Sequence, residues 1–104
     1  MYRMNAMQPQ IDSVVRPVFA RYPVKRAALF GSFARAEASA MSDADILVEF
    51  FPGTKGIEFF GLKVDLEDAL NRSVDLLTYN ALSTADAAFR TAVENEAVII
   101  YEHE

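Results

Sequence analysis

The sequence predicts an α/β fold, a small sheet with helices packed around it, and three observations carry that prediction. Three short apolar runs bounded by turn residues, "VKRAALF", "DILVEFF" and "SVDLLTY", read as strands. The stretches before, between and after them place apolar residues at helical spacing. The chain has 104 residues and is 52% hydrophobic, enough for one core but not for a second substrate domain. Residues 1–104 are therefore expected to form one domain.

In chain order, "IDSVVRPVFARY" carries apolar residues at 11, 14, 15, 18, 19 and 22, a helical stripe. Pro17 lies off that stripe, facing solvent, and is expected to kink the helix. "VKRAALF" is a strand running into Gly31, and Ser32 to about Ala38 is a short helix opened by the Gly-Ser pair. "DILVEFF" is a buried strand closed by the turn "PGTKG". From Ile57 to Leu70, apolar positions 59, 62, 66, 69 and 70 give a third helix, and Asn71 stands where a left-handed helix end is expected. "SVDLLTY" is the third strand. "LSTADAAFRTAVENEA" forms the last helix, capped by Ser83 or Thr84, and "VIIYE" follows as a short strand or docked tail.

Composition removes several classes of function. With no cysteine there are no disulfides, thiolate metal sites or cysteine nucleophiles. "MYRMNAMQPQ" lacks the apolar stretch of a signal peptide, and no run approaches membrane-spanning length, so a soluble cytoplasmic protein is expected. The net charge of −5 argues against a groove gripping nucleic acid. Arg21, Lys25 and Arg26 in "RYPVKR" read as a solvated edge, and His103 as a solvated tail residue. Phe50, Phe51, Phe59 and Phe60 are expected mostly in the core, with some left for a partner-facing patch.

The residues that carry chemistry lie in "GSFARAEASAMSDADILVEF". A glycine between strand and helix lets backbone approach a ligand closely, and the helix start beyond it favours phosphate. Gly31-Ser32 alone fits an ordinary capped turn as well. Asp43 and Asp45, two apart on a strand, project together and could share a divalent cation such as magnesium, though the pair alone reads first as a solvated strand end. An EF-hand calcium loop is excluded, because Leu47 falls at its third ligand position and its glycine is missing. Asp75 sits conspicuously among packing residues. If its strand lies beside the second, it joins the two other acids, and three acids on one patch repel strongly without a cation. Arg35, one turn beyond Gly31-Ser32, could reach a phosphate or pair with an acid.

Gly-Ser, ten residues, Asp-x-Asp on a strand, and a further Asp on the next strand together resemble the minimal nucleotidyltransferase family, small relatives of the DNA polymerase β palm. The likeness extends to "GLKVDLEDALNRSVDLLTY". Two departures are Ala36, where members often have glycine, and Asn71, in place of a common glycine. The resemblance implies an α+β palm-like domain with a mixed sheet, transferring a nucleoside monophosphate from a nucleoside triphosphate. It places Gly31 and Ser32 on the triphosphate, with Arg35 and Ser42 beside them. Asp43 and Asp45 would bind two Mg²⁺ ions, Asp75 would bind one of them, and Asp75 would take the proton of the acceptor hydroxyl. ATP is the implied substrate. Small proteins of the family pair with HEPN-domain ribonuclease toxins, so the leading expectation is an antitoxin that transfers AMP to a toxin tyrosine. The alternatives are a binding module that silences its partner by occlusion, and transfer to a small-molecule hydroxyl. Self-association stays open.

Overall fold

The computed structural model describes residues 8–35, 37 and 42–103. Helix α1 (Gln8–Phe19) leads into strand β1 (Val24–Phe30) and a single-turn helix α2 (Gly31–Ala34). Strand β2 (Ala44–Phe50), helix α3 (Gly56–Leu70) and strand β3 (Val74–Thr78) follow, then helices α4 (Tyr79–Ser83) and α5 (Ala87–Glu96) and strand β4 (Val98–Glu102). The sheet runs β3-β2-β1-β4. β1 is antiparallel to both β2 and β4, whereas β2 and β3 are parallel, joined by the crossover through α3. This is the expected small α+β fold with a mixed sheet.

Strand alternation divides the core in two. Ala27 and Leu29 of β1, Ala44, Ile46 and Val48 of β2, and Val74 and Leu76 of β3 pack with Ile11, Val15, Val18 and Phe19 of α1 and Leu62 and Leu66 of α3. The opposite face is thinner: Ala28, Phe30 and Leu47 meet Leu82 of α4 and Val93 of α5. β2, central and covered on both sides, therefore reads as a nearly continuous apolar run.

Several elements depart from the sequence reading. α1 continues through Pro17, which is exposed as expected, but Val14 of the expected stripe is exposed too. α2 ends at Ala34 rather than Ala38; Ala36 and residues 38–41 lie outside the described residues. Its N-cap is Phe30, and no side chain caps it, so Ser32 is inside the helix rather than its cap. Ala69 of the expected α3 stripe is exposed, while Asn71 ends that helix in the left-handed region (φ 53°, ψ 44°), as expected. The expected last helix is broken in two. Tyr79 belongs to α4, and Asp86, not Ser83 or Thr84, caps α5 by accepting from the backbone N–H groups of Ala88 and Phe89. "VIIYE" is a true strand, held on β1, with Tyr101 stacked against Phe19 at 5.3 Å between ring centroids.

None of the four expected core phenylalanines is fully buried. Phe50, Phe51 and Phe59 are half-buried and Phe60 is exposed. The basic cluster is a paired edge: Arg21 meets Asp65 at 3.7 Å, and both Lys25 and Arg26 meet Glu49. His103 is exposed, with its ring against Phe51 (centroids 5.1 Å apart) and its backbone N–H donating to the Lys25 carbonyl.

Candidate functional site

Sheet register assembles the acidic residues. Asp45 pairs directly with Asp75 across the parallel β2–β3 ladder, so both side chains leave the same face, the one carrying α4 and α5. Asp43 precedes β2 with the same parity and is exposed. Asp45 is half-buried and Asp75 exposed. The carboxyl of Asp45 is pushed above the usual carboxylate range, first by burial, then by the charges of Asp75, Asp43 and Glu96, with Arg35 pulling weakly the other way.

That shift fixes the sign of a prediction. A carboxyl raised on folding favours the folded state only when protonated, so its ionisation weakens stability as pH rises from the ordinary carboxylate value through the folded one. Asp45→Asn should therefore raise the Tm of the metal-free protein at neutral pH. The difference should vanish below about pH 4, where the carboxyl is protonated in both states. Thermal melts across pH check it, and an Asn variant less stable than wild type at neutral pH would contradict it.

Gly31 closes the other side. β1 pairs Phe30 with Asp45, so the next residue meets the Asp45 carboxylate directly. A Cβ on Gly31 would stand 2.1 Å from Asp45 Oδ2, and the residue has φ +71°. Only glycine fits this corner. The backbone N–H of Gly31 donates to Glu96 Oε1 at 2.7 Å, and Arg35 Nη1 donates to Glu96 Oε2 at 2.8 Å. Arg35 Nε also donates to Glu37 at 2.9 Å. Of the two options open for Arg35 in the sequence, the structure shows pairing with acids. These pairings hold its guanidinium firmly protonated, with Glu37 contributing most and Glu96 next.

Two of the residues around the site were not singled out in the sequence. Glu96 is the last residue of α5, where the helix dipole disfavours an acid, and no basic residue shares that turn. That mismatch was the available signal. Arg72 donates from Nη1 to the Ser42 carbonyl at 2.8 Å, and its guanidinium lies 4.7 Å over the Phe33 ring. It ties α2 to the segment that carries Ser42 and Asp43; nothing local in "NRSVD" advertised this.

Gly31, Arg35, Asp43, Asp45 and Asp75 thus converge at one end of the sheet, with Ser32 beside Gly31 and Ser42 beside Asp43. All the acids offer carboxylate oxygens, which suit a hard cation such as magnesium. The Asp45 carboxyl is raised first by burial and then by neighbouring negative charge, and a cation would relieve the second cause. Among the described residues, no three acidic or histidine side chains stand close enough to form a ready-made cation cage. No helix among the described residues is long and apolar enough to cross a membrane.

The family model "Polymerase beta, Nucleotidyltransferase" matches residues 14–104. A Methanocaldococcus jannaschii protein named as a candidate protein adenylyltransferase, MJ0435, is 40% identical over 89 residues, covering 86% of this chain and 92% of its own. The protein adenylyltransferase MntA of Thermococcus cleftensis is 37% identical over 67 residues, covering 64% of this chain and 68% of its own. Among solved structures, a candidate minimal nucleotidyltransferase superposes with a TM-score of 0.69 at 30% identity, covering 93% of this chain and 95% of that one. A toxin–antitoxin structure with AMP-PNP gives 0.64 at 23% identity, covering 93% and 74%. A tri-AMPylated Shewanella oneidensis HEPN toxin in complex with its MNT antitoxin gives 0.65 at 20%, also covering 93% and 74%. At the last two identities the likeness is one of fold. By its family match, its relatives and its fold, the chain belongs to the polymerase β nucleotidyltransferase family, of which it is a minimal member.

Proposed function

We propose that this nucleotidyltransferase moves AMP from ATP to a hydroxyl of a partner protein, and that it is the antitoxin of a HEPN-type toxin whose tyrosine is the acceptor. The observation that carries the reading is the in-register pair Asp45–Asp75 beside the glycine corner at Gly31. The names of its relatives support protein adenylyl transfer, and the AMPylated toxin in complex with an MNT antitoxin supports the partner.

In the proposed reaction the acceptor oxygen attacks the α-phosphorus of ATP. The bond from that phosphorus to the bridging oxygen breaks, pyrophosphate leaves, and the acceptor proton passes to Asp75. Gly31 N–H, Ser32, Arg35 and Ser42 bind and orient the triphosphate, by backbone donor, hydroxyls and guanidinium. Asp43, Asp45 and Asp75 would hold two magnesium ions, which when bound supply positive charge to the attacking and leaving oxygens. ATP supply and an intracellular toxin both fit a cytoplasmic setting.

One observation favours the occlusion reading as a second mechanism. Ile57, Phe60 and Val64 of α3, at i, i+3 and i+7, are 75%, 67% and 54% exposed. They form an apolar stripe on the helix opposite the catalytic face, where a protein partner would gain by covering it.

The experiment is a transfer assay with ATP labelled on the α-phosphate, purified HEPN partner and this protein. Label should appear on the partner with Mg²⁺ and be absent with chelator, and mass spectrometry should place it on tyrosine. A partner silenced without gaining label would leave occlusion as the mechanism.

A further inference from the structure

Glu96 holds two of the proposed triphosphate donors at once. One carboxylate oxygen accepts from the Gly31 N–H at 2.7 Å and the other from Arg35 at 2.8 Å. A carboxylate with two oxygens on one centre, bridging a backbone donor and a guanidinium, presents these groups with what a phosphate would present. We infer that Glu96 is an internal competitor of the nucleotide, occupying the triphosphate donors until ATP displaces it, and thereby setting the affinity for ATP. The inference rests on the proposed nucleotide site.

Electrostatics leave little room for both anions. Glu96 already adds to the negative field at Asp45, together with Asp43 and Asp75, and a triphosphate drawn to Gly31 and Arg35 would meet its carboxylate at contact distance. Displacement is also mechanically cheap. α5 buries a single residue, Val93; its other contacts include the Asp86 cap, the edge-on contact of Phe89 with Phe30 (6.4 Å between centroids), and Arg90 donating to the Ser83 and Ala85 carbonyls, all at its first two turns and away from Glu96. An element with so few buried contacts belongs to the low-stability end of a fold. Arg35 keeps Glu37 as an alternative partner, so it stays oriented when Glu96 leaves.

Where a site is closed by its own side chain, apparent affinity falls by the fraction of molecules that are open. Removing the competing charge should therefore tighten binding. The test is calorimetric titration of Mg-ATP into wild type, Glu96→Gln and Glu96→Ala, with hydrogen exchange followed over residues 87–96. Both variants should bind ATP about tenfold more tightly. In wild type, ATP should speed exchange in the last turn of α5. Comparable circular-dichroism melts would confirm that both variants are folded, and either one alone suffices for the comparison. If wild type binds ATP but the variants bind equally or more weakly, Glu96 is a support for Arg35 and the competitor inference is overturned, with the proposed function untouched. Wild type that binds no nucleotide overturns the functional reading and this inference with it.

Discussion

Asp75→Asn is expected to cut AMP transfer by about 10²–10⁴-fold while leaving the fold intact, the loss typical of removing a general base, which is the role proposed for Asp75. Asp75 is exposed, and the packing on β3 is done by its neighbours Val74 and Leu76, so an isosteric amide disturbs no core contact. Asn cannot take the proton of the attacking hydroxyl. Asp43 and Asp45 retain their carboxylates, so nucleotide binding should largely survive, and calorimetry alongside the labelled-transfer assay separates the two effects. Unchanged transfer by a folded Asp75→Asn protein would remove Asp75 from the reaction. An Asp75→Asn protein that protects cells as well as wild type, while transferring no AMP, would establish occlusion.

Gly31→Ala should strike stability and activity together. A non-glycine residue in the left-handed region costs about 1–3 kcal/mol, and forcing an atom into a filled site costs a similar amount. Here φ is +71° and the added methyl would lie 2.1 Å from Asp45 Oδ2 and 3.0 Å from its Cγ. The sum is roughly 2–6 kcal/mol, lowered only by swinging Asp45 out of the site. Gly53 supplies the control: its φ is +87°, but nothing lies within 4 Å of its would-be Cβ. Gly53→Ala should therefore show the backbone cost alone, about 1–3 kcal/mol, with activity preserved. Urea denaturation measures both. In an Asp45→Ala background the excess cost at Gly31 should shrink, since the obstructing carboxylate is gone. Equal losses at Gly31 and Gly53 would mean that the close approach of Asp45 has no energetic weight.

What was legible in the sequence was local. β1 matched its expected span, β2 and β3 came within one or two residues of theirs, and Asn71 announced its own backbone conformation. The acids at 43, 45 and 75 could be grouped because strand parity is a property of the sequence once the strands are placed. The register that sets Asp45 beside Asp75 and Phe30 beside Asp45 was not local, and required the sheet itself. The sequence merges α4 and α5 into one helix because "STAD" offers three competing caps, and the seat of Leu82 on the thin face ends α4 before Asp86 starts α5. The sequence assigns the phenylalanines to the core because apolar character does not show distance from it: Phe50 and Phe59 only border the main core, and Phe60 faces solvent on α3. Glu96 reaches Gly31 across a separation of 65 residues, and no period or propensity connects such positions.

The position of β4 has a consequence for the order in which the molecule can be completed. β1 lies inside the sheet, yet one of its two neighbours is β4, about seventy residues later. While a nascent chain has reached only α5, β1 presents an open edge, with the backbone groups of Ala27, Ala28 and Leu29 unpaired on that side. Phe19 likewise lacks the Tyr101 ring that stacks on it. Chains halted or clipped before Val98 are therefore expected to be association-prone, pairing through β1 with another copy, whereas β4 in place leaves β1 paired on both sides.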